Sequence, residues 1–284
     1  MVGIVIKFTI RDDLSGLIIG HCKDILGLDG EIHTSEEMKF HELQLKEFIF
    51  TTEFKSYLSK NKESISRLIY ISITKPNDES IGEIPFFIFD NIYYHHSGFL
   101  NETDNIVWTG SLERIVSPEE RYIWNRWIEA VPTQRNEWAD LSEKQRRAWL
   151  QVVRNYGANQ RNYQRKGSNF ILEGKDIIDY SSFFCALGEA IHGPGGYYGF
   201  DINSMIDCFH GDYGAEAPFT LIWKDHQIAR EALDQYAWLK EIKAKQIEDR
   251  KLLTESVFEE VGDRPLFDAL LETAKSYNVN VWLQ

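Results

Sequence analysis

The chain has few cysteines, no surplus of positive charge and no long apolar run. Its three cysteines, Cys22, Cys185 and Cys208, are too few and too irregularly spaced for a disulfide framework or a cysteine-based zinc site. The first ten residues alternate apolar and polar positions and are interrupted by Lys7, which is unlike a signal peptide or a membrane span. These absences predict a cytoplasmic protein that is not bound to a membrane.

Acidic residues outnumber basic ones by 44 to 31, which gives a net charge of −13. Because clustered Lys and Arg supply most of the affinity for phosphate backbones, we do not expect direct binding of nucleic acid. Residues 168–284 carry 20 acidic and 10 basic side chains, so most of the excess lies there. Such a surface attracts a basic partner, although solubility is a common reason for the same composition.

The length of the chain favours two domains. Residues 1–116 contain short runs of β-branched and aromatic residues, and they predict a β-rich α+β domain of unknown role. Residues 117–167 predict a helical extension and linker, because Ser117, Pro118 and Glu120 form a strong helix start that Ser142 repeats. In residues 168–284 strand patterns alternate with helix patterns, which favours an α/β domain with a parallel sheet.

A turn rich in glycine and tyrosine, followed by a short amphipathic segment, is the most distinctive motif. It reads Gly193-Pro194-Gly195-Gly196-Tyr197-Tyr198-Gly199-Phe200, and the helix predicted over residues 201–209 ends in Asp207-Cys208-Phe209. The motif resembles the inhibitory loop and following helix of the barstar family, where a Tyr-Tyr-Gly or Tyr-Phe-Gly turn precedes a helix ending in Asp-Cys-Leu. The segments that flank it, at residues 170–174, 218–223 and 279–283, resemble the strands of that family in the same order.

The resemblance implies a barstar-like domain with a three-stranded parallel sheet flanked by helices. It also implies a stoichiometric inhibitor, of the immunity or antitoxin type, that occludes the active site of a basic, barnase-like ribonuclease toxin. In the family the helical Asp takes the place of the substrate phosphate and the first Tyr covers the entrance. The positions that the resemblance assigns to partner binding are Tyr197, Tyr198, Gly199, Asp201, Asn203, Asp207 and Glu272.

Some positions depart from the pattern of that family. Asn203 stands where an Asp is common, and Ile206 stands where a Trp or Asn often precedes the helical Asp. Glu272 is only the nearest match to the family's last acidic residue, and residues 240–262 form an insertion relative to its smallest members. These departures keep open an alternative function, in which the same scaffold is a regulatory interaction module without a nuclease target.

The spacing within residues 201–209 also has a meaning independent of the resemblance. In a helix, Ile202, Met205, Ile206 and Phe209 fall on one face and would form a buried stripe. Asn203 and Asp207, four residues apart, would share the outer face. One short helix could therefore both pack against its own domain and present a carboxylate to a partner.

Other combinations of reactive residues predict no chemistry with comparable strength. Cys208 beside His192 or His210 could be a nucleophile and base, but its place in the helix favours a structural thiol. His95 and His96 would point to opposite faces of a strand, which disfavours a metal site. The basic residues of the extension favour a solvated surface over RNA binding. We therefore expect no enzymatic activity, metal or cofactor.

Overall fold

A computed structural model describes residues 8–34, 39–60, 67–89, 104–157, 165–248 and 264–284. The chain divides into two compact units, Met1–Val131 and Pro132–Gln284. The sequence instead predicts boundaries at residues 116 and 167, and the two helices between these positions fall into different units.

The first unit contains eight described strands and two helices. Their bounds are β1 Phe8–Asp12, β2 Ile18–Cys22, β3 Asp24–Leu26, β4 Ile32–Thr34, β5 Lys39–Phe50, α1 Thr52–Lys60, β6 Leu68–Thr74, β7 Ser80–Ile88, β8 Asp104–Leu112 and α2 Pro118–Glu129. The strands pair in the order β2-β1-β6-β7-β8-β5, and β5 also pairs with β2. Six antiparallel strands thus close into a barrel, with β3 and β4 added along β5.

Alternation along the strands explains why this sheet closes around an apolar interior. Ile10, Ile71 and Ile84 face one another across β1, β6 and β7, and all three are fully buried. Gly20 on β2 permits the closure, because a Cβ there would lie 2.4 Å from the Phe48 ring of β5. The prediction of a β-rich domain is confirmed, but its description as α+β is not supported, because the strands wrap into a barrel instead of forming a layer beneath helices.

The predicted helix start at Ser117 is confirmed in α2. The Ser117 side chain accepts a hydrogen bond from the Glu120 amide at 3.1 Å, and Pro118 occupies the first turn. Trp124 and Trp127 are buried, as expected of core residues. The Glu120 carboxylate, also buried, forms a two-bond ion pair with Arg114, which compensates its loss of water.

The second unit contains the remaining described elements. Their bounds are α3 Glu143–Gly157, β9 Arg165–Lys166, β10 Asn169–Glu173, α4 Tyr180–His192, α5 Ile202–Phe209, β11 Ala215–Glu216, β12 Phe219–Lys224, α6 His226–Ala232, α7 Gln235–Glu248, α8 Leu266–Ser276 and β13 Val279–Leu283. The region after residue 225 forms two helices, α6 and α7, separated at Leu233 and Asp234. Most of the predicted linker at 158–167 and of the insertion at 240–262 lies outside the described residues.

The sheet of this unit has the predicted three parallel strands, in the order β10-β12-β13. The side chains on one face of the sheet are buried, among them Leu172, Leu221, Trp223 and Val279. Trp223 contacts Phe183 of α4 and Phe267 of α8, with ring centroids 5.4 Å and 4.7 Å apart. The α/β prediction for the C-terminal part is therefore confirmed.

Helix α3 belongs to this second unit, because it packs against α4. The guanidinium of Arg146, only 5% exposed, pairs with the Asp179 carboxylate at 2.5 Å. Burial disfavours the charged form of Asp179, but the hydrogen bonds and charge of Arg146 outweigh burial and lower the pKa of Asp179. Because Asp179 also caps α4, the pair ties the extension to the start of that helix.

Candidate functional site

Helix α5 begins with a capping box that fixes its first turn. The Asp201 carboxylate accepts hydrogen bonds from both the amide and the hydroxyl of Ser204, each at 2.7 Å. The Ser204 hydroxyl in turn accepts from the Asp201 amide at 3.0 Å. The structure therefore gives Asp201 a local role, as the N-cap that sets where the helix starts, while its assignment to partner binding stays a prediction.

The turn before this helix depends on Gly199 and Tyr198. Gly199 has a φ of +89°, and a Cβ on it would lie 2.9 Å from the Met205 amide, so both the conformation and the space call for glycine. Tyr198 is buried, and its hydroxyl donates to the carbonyl of Cys208 or Ala215, at 3.2 Å and 2.9 Å. These two residues anchor the turn to the domain, and their assignment to partner binding stays a prediction.

Tyr197 is half-buried beside α5 and lies more toward the surface than Tyr198. Its ring centroid is 6.1 Å from that of Tyr213, and its side chain is hydrogen-bonded to Ser204. Burial raises the pKa of the Tyr197 hydroxyl, whereas the nearby charge of Arg154 acts in the opposite direction. The side chain is therefore neutral at physiological pH and held against its own domain.

The outer face of α5 carries the two polar residues that the spacing predicts. Asn203 and Asp207 are both exposed, one turn apart. The buried stripe consists of Met205, Cys208 and Phe209, whereas Ile202 and Ile206 are only half-buried. The buried face of α5 therefore differs from the predicted one. Cys208 faces the interior, and Ile206 lies partly toward solvent.

Asp207 lies in an electrostatically unfavourable place for its own fold. It stands in the last turn of α5, where the partial negative charge of the helix end disfavours a carboxylate. Within the described parts of the chain, no cation or hydrogen-bond donor pairs with the Asp207 side chain. Since local stability gives no reason for an acidic residue here, Asp207 is available for contact with another molecule.

Glu272, the most distant of the predicted site residues, lies on α8. This helix packs against α5, but the Glu272 side chain is 66% exposed and forms an ion pair with Arg264. The structure does not bring its carboxylate together with Asp207 through any recorded contact. Its part in binding stays a prediction.

An open groove of about 490 Å³ adjoins the site on the Asn203 side. Its walls come from α3, α4, α5, α7 and α8, and they are mainly apolar and aromatic. The lining residues are Arg147, Tyr180, Phe200, Asp201, Ile202, Asn203, Trp238, Glu241, Ile242, Ala244 and Leu266. Arg147 pairs there with Glu143 and Glu241, so the ionic groups of the groove wall neutralise one another.

Arg154 is a residue of this neighbourhood that the sequence assigned only to a solvated surface. It is exposed on α3, and its guanidinium carbon lies 4.8 Å from the Phe200 ring centroid. The contact joins two segments 46 positions apart in the sequence. No local pattern could have placed the cation beside the turn, because its position depends on how α3 packs against α4.

The described residues give no support to a catalytic role of Cys208 or to a metal site, the other combinations considered from the sequence. Cys208 is buried, and His192 is within 2.8 Å of the Tyr213 carbonyl. Among the residues with described positions, no group of three or more His, Cys, Asp and Glu could hold a metal ion. His95 and His96 lie outside the described residues. None of the described helices is both long and apolar enough to cross a membrane.

These features define a small α/β domain in which α4, a tyrosine-rich turn and a helix with an exposed carboxylate connect the first two strands of the parallel sheet, β10 and β12. Residues 167–252 match the family model Barstar, described as barnase inhibitor. The C-terminal region therefore contains a barstar domain, and the resemblance noted in the sequence is confirmed for that region. The match covers less than half of the chain. Neither the curated proteins nor the solved structures gave a significant match.

Proposed function

We propose that the chain is a stoichiometric inhibitor, of the immunity or antitoxin type, of a basic ribonuclease toxin of the barnase class. The observation that carries this proposal is the exposed Asp207, which has no described partner and lies in the helix turn where a carboxylate is least favourable. The family match supplies the class of partner, since the matched family is that of a barnase inhibitor. Asp207 enters the ribonuclease cleft in the place of a substrate phosphate.

The chemistry of the target explains why a carboxylate suffices for inhibition. A ribonuclease holds the phosphate of its substrate with Arg, Lys or His side chains in a partly desolvated cleft. A carboxylate delivered into that cleft forms short, charge-assisted hydrogen bonds with the same groups. Inhibition therefore needs a rigid, correctly placed acidic helix and no reaction by the inhibitor. The capping box at Asp201 and the buried Tyr198 supply that rigidity.

Tyr197 and Asn203 flank Asp207 in the proposed interface. Tyr197 covers the cleft entrance, and its neutral, half-buried ring contributes contact area without a charge. Asn203 adds a neutral polar group one helical turn away, so its removal leaves no charge stranded in the partner. We therefore expect Asp207 to contribute most to affinity, Tyr197 less and Asn203 least.

The alternative is a barstar scaffold that serves as a regulatory interaction module without a nuclease target. Asn203 favours this alternative, because the chain has an amide where the family often has a second carboxylate. Such a module would bind a protein at the same surface but leave ribonuclease activity unchanged. The two functions therefore differ in a direct enzymatic measurement.

The test is an inhibition titration of purified barnase by the full chain. We expect RNA cleavage to fall to zero at one equivalent, with an association rate that drops by about tenfold as salt rises toward physiological strength. The acidic surface of residues 168–284 is the physical reason for that salt dependence. Undiminished cleavage at a large molar excess of the chain would reject inhibition and leave the interaction module as the better account.

A further inference from the structure

Arg154 places a positive charge beside the tyrosine-rich turn. It lies on α3, which precedes the matched region of residues 167–252. Its guanidinium carbon is 4.8 Å from the ring centroid of Phe200, the residue that follows the tyrosine-rich turn. Its charge also acts on the hydroxyl of Tyr197. The cation therefore borders the same turn that precedes the proposed inhibitory helix.

Helix α3 is held in this position by several ionic contacts. Arg146 pairs with Asp179 at the start of α4, and it also donates to the Ala139 carbonyl at 3.3 Å. The next residue, Arg147, pairs with Glu241 of α7, and Glu143, one turn earlier on α3, pairs with Lys240 of α7. These contacts make the location of Arg154 a property of the folded unit and not of one mobile side chain.

Among the described residues, no carboxylate forms an ion pair with Arg154. The recorded neighbours of its guanidinium there are the Phe200 ring and the Tyr197 hydroxyl. Phe200 precedes the N-cap of α5, and Asp207 lies five residues after Ile202, the first residue of that helix, which corresponds to about 7.5 Å along the helix axis. The surface thus presents a cation near the start of α5 and an anion near its end.

We propose that Arg154 determines specificity by extending the partner-binding surface beyond the matched region. It selects a ribonuclease that presents a carboxylate beside the cationic groups that receive Asp207. A cleft with positive charge alone would be repelled by Arg154, so the surface discriminates between basic partners through this second charge. The inference rests on the proposed function, because it concerns the same surface and the same class of partner.

Substitutions that separate charge from packing test the inference. Arg154→Met keeps most of the aliphatic stem against Phe200 and removes the charge. Arg154→Glu reverses the charge, and Arg154→Lys retains it. The matched control is Lys144→Met, which removes an exposed cation ten residues earlier on α3, about 15 Å along the helix axis.

The readout is the dissociation constant and the association rate of the full chain with purified barnase, over a range of salt concentrations. We expect Arg154→Met to weaken binding about tenfold and Arg154→Glu about a hundredfold, with Arg154→Lys and Lys144→Met near the parent. The parent and Arg154→Met should converge at high salt, which a purely structural role of Arg154 would not produce. Melting curves of all variants confirm that they are folded.

Two results would overturn the inference while leaving the proposed function intact. The first is inhibition by the parent chain with unchanged affinity in Arg154→Met. The second is tighter binding by Arg154→Glu, which would mean that Arg154 faces positive charge in the complex. If the parent inhibits neither barnase nor any other basic ribonuclease of that class, the proposed function fails and this inference fails with it.

Discussion

Deleting residues 132–167 should destabilise the barstar domain severely, although the family match begins only at residue 167. We compare two fragments, residues 132–284 and residues 168–284. The shorter fragment lacks Arg146, so the partly buried Asp179 carboxylate loses its ion pair. It also lacks the Asn136 amide, which donates to the buried Glu189 carboxylate at 2.8 Å.

The magnitude follows from these two carboxylates. Removing one partner of a buried ion pair costs about 3 kcal/mol, and a buried acceptor that loses a donor costs about 1 to 3 kcal/mol. Burial already raises the pKa of Glu189, although backbone hydrogen bonds from Asn136 and Gly195 act in the opposite direction. The combined loss of about 4 to 6 kcal/mol approaches the whole stability margin of a small domain, about 5 to 15 kcal/mol.

Urea denaturation, followed by circular dichroism and by tryptophan fluorescence, measures the difference. We expect residues 132–284 to unfold in one cooperative transition and residues 168–284 to show a much lower midpoint or none. Equal midpoints for the two fragments would refute the reasoning. They would show that α3 only rests on the surface of the domain and that the boundary near residue 167 is correct.

Two substitutions test the internal contacts of the unit. Asp179→Asn should lower the unfolding free energy by about 2 to 3 kcal/mol at pH 7. Because the folded-state pKa of Asp179 is lowered, its contribution is complete above its ordinary value and is lost as pH falls below it. Parent and variant should therefore converge in urea denaturations as the pH falls below 3.8, the ordinary pKa of an Asp side chain. Tyr198→Phe should lower the free energy of unfolding by about 1 to 2 kcal/mol, because the hydrogen bonds of its hydroxyl are lost. Barnase inhibition should not change, because the buried hydroxyl only anchors the turn.

Much of the second unit is predictable from sequence because its signals are local. The strand at Val279–Leu283 has the predicted bounds, and α5 begins one residue after its capping Asp201. The exposed pair Asn203 and Asp207 follows from helical spacing alone. The sequence does not indicate the break between α6 and α7, because Leu233 and Asp234 include no glycine or proline.

Contacts that join distant segments could not be predicted in this way. Closure of the barrel depends on pairing between β2 and β5, and no periodicity within either strand reveals its partner. The position of Arg154 could not be predicted for the same reason, since its place beside Phe200 follows from the packing of α3 on α4. Ile206 is predicted to belong to the buried stripe but is half-buried, because the nearby Cys208 occupies the inward position.

The most direct test of the central claim is the inhibition constant of Asp207→Ala against barnase, measured beside its melting temperature. Removing the Asp207 carboxylate leaves a desolvated cation of the partner without its counter-charge, which costs about 2 to 5 kcal/mol of binding free energy. That range comes from interfaces that include the barnase–barstar pair itself. We expect inhibition to weaken at least about 30-fold, mainly through faster dissociation. Folding stability should stay the same or rise, because an unfavourable carboxylate leaves the end of α5.

Asn203→Ala, on the same face one turn earlier, is the matched control and should weaken inhibition far less than Asp207→Ala. An Asp207→Ala variant that inhibits as well as the parent would contradict the claim, because this helix would then not occupy the ribonuclease active site.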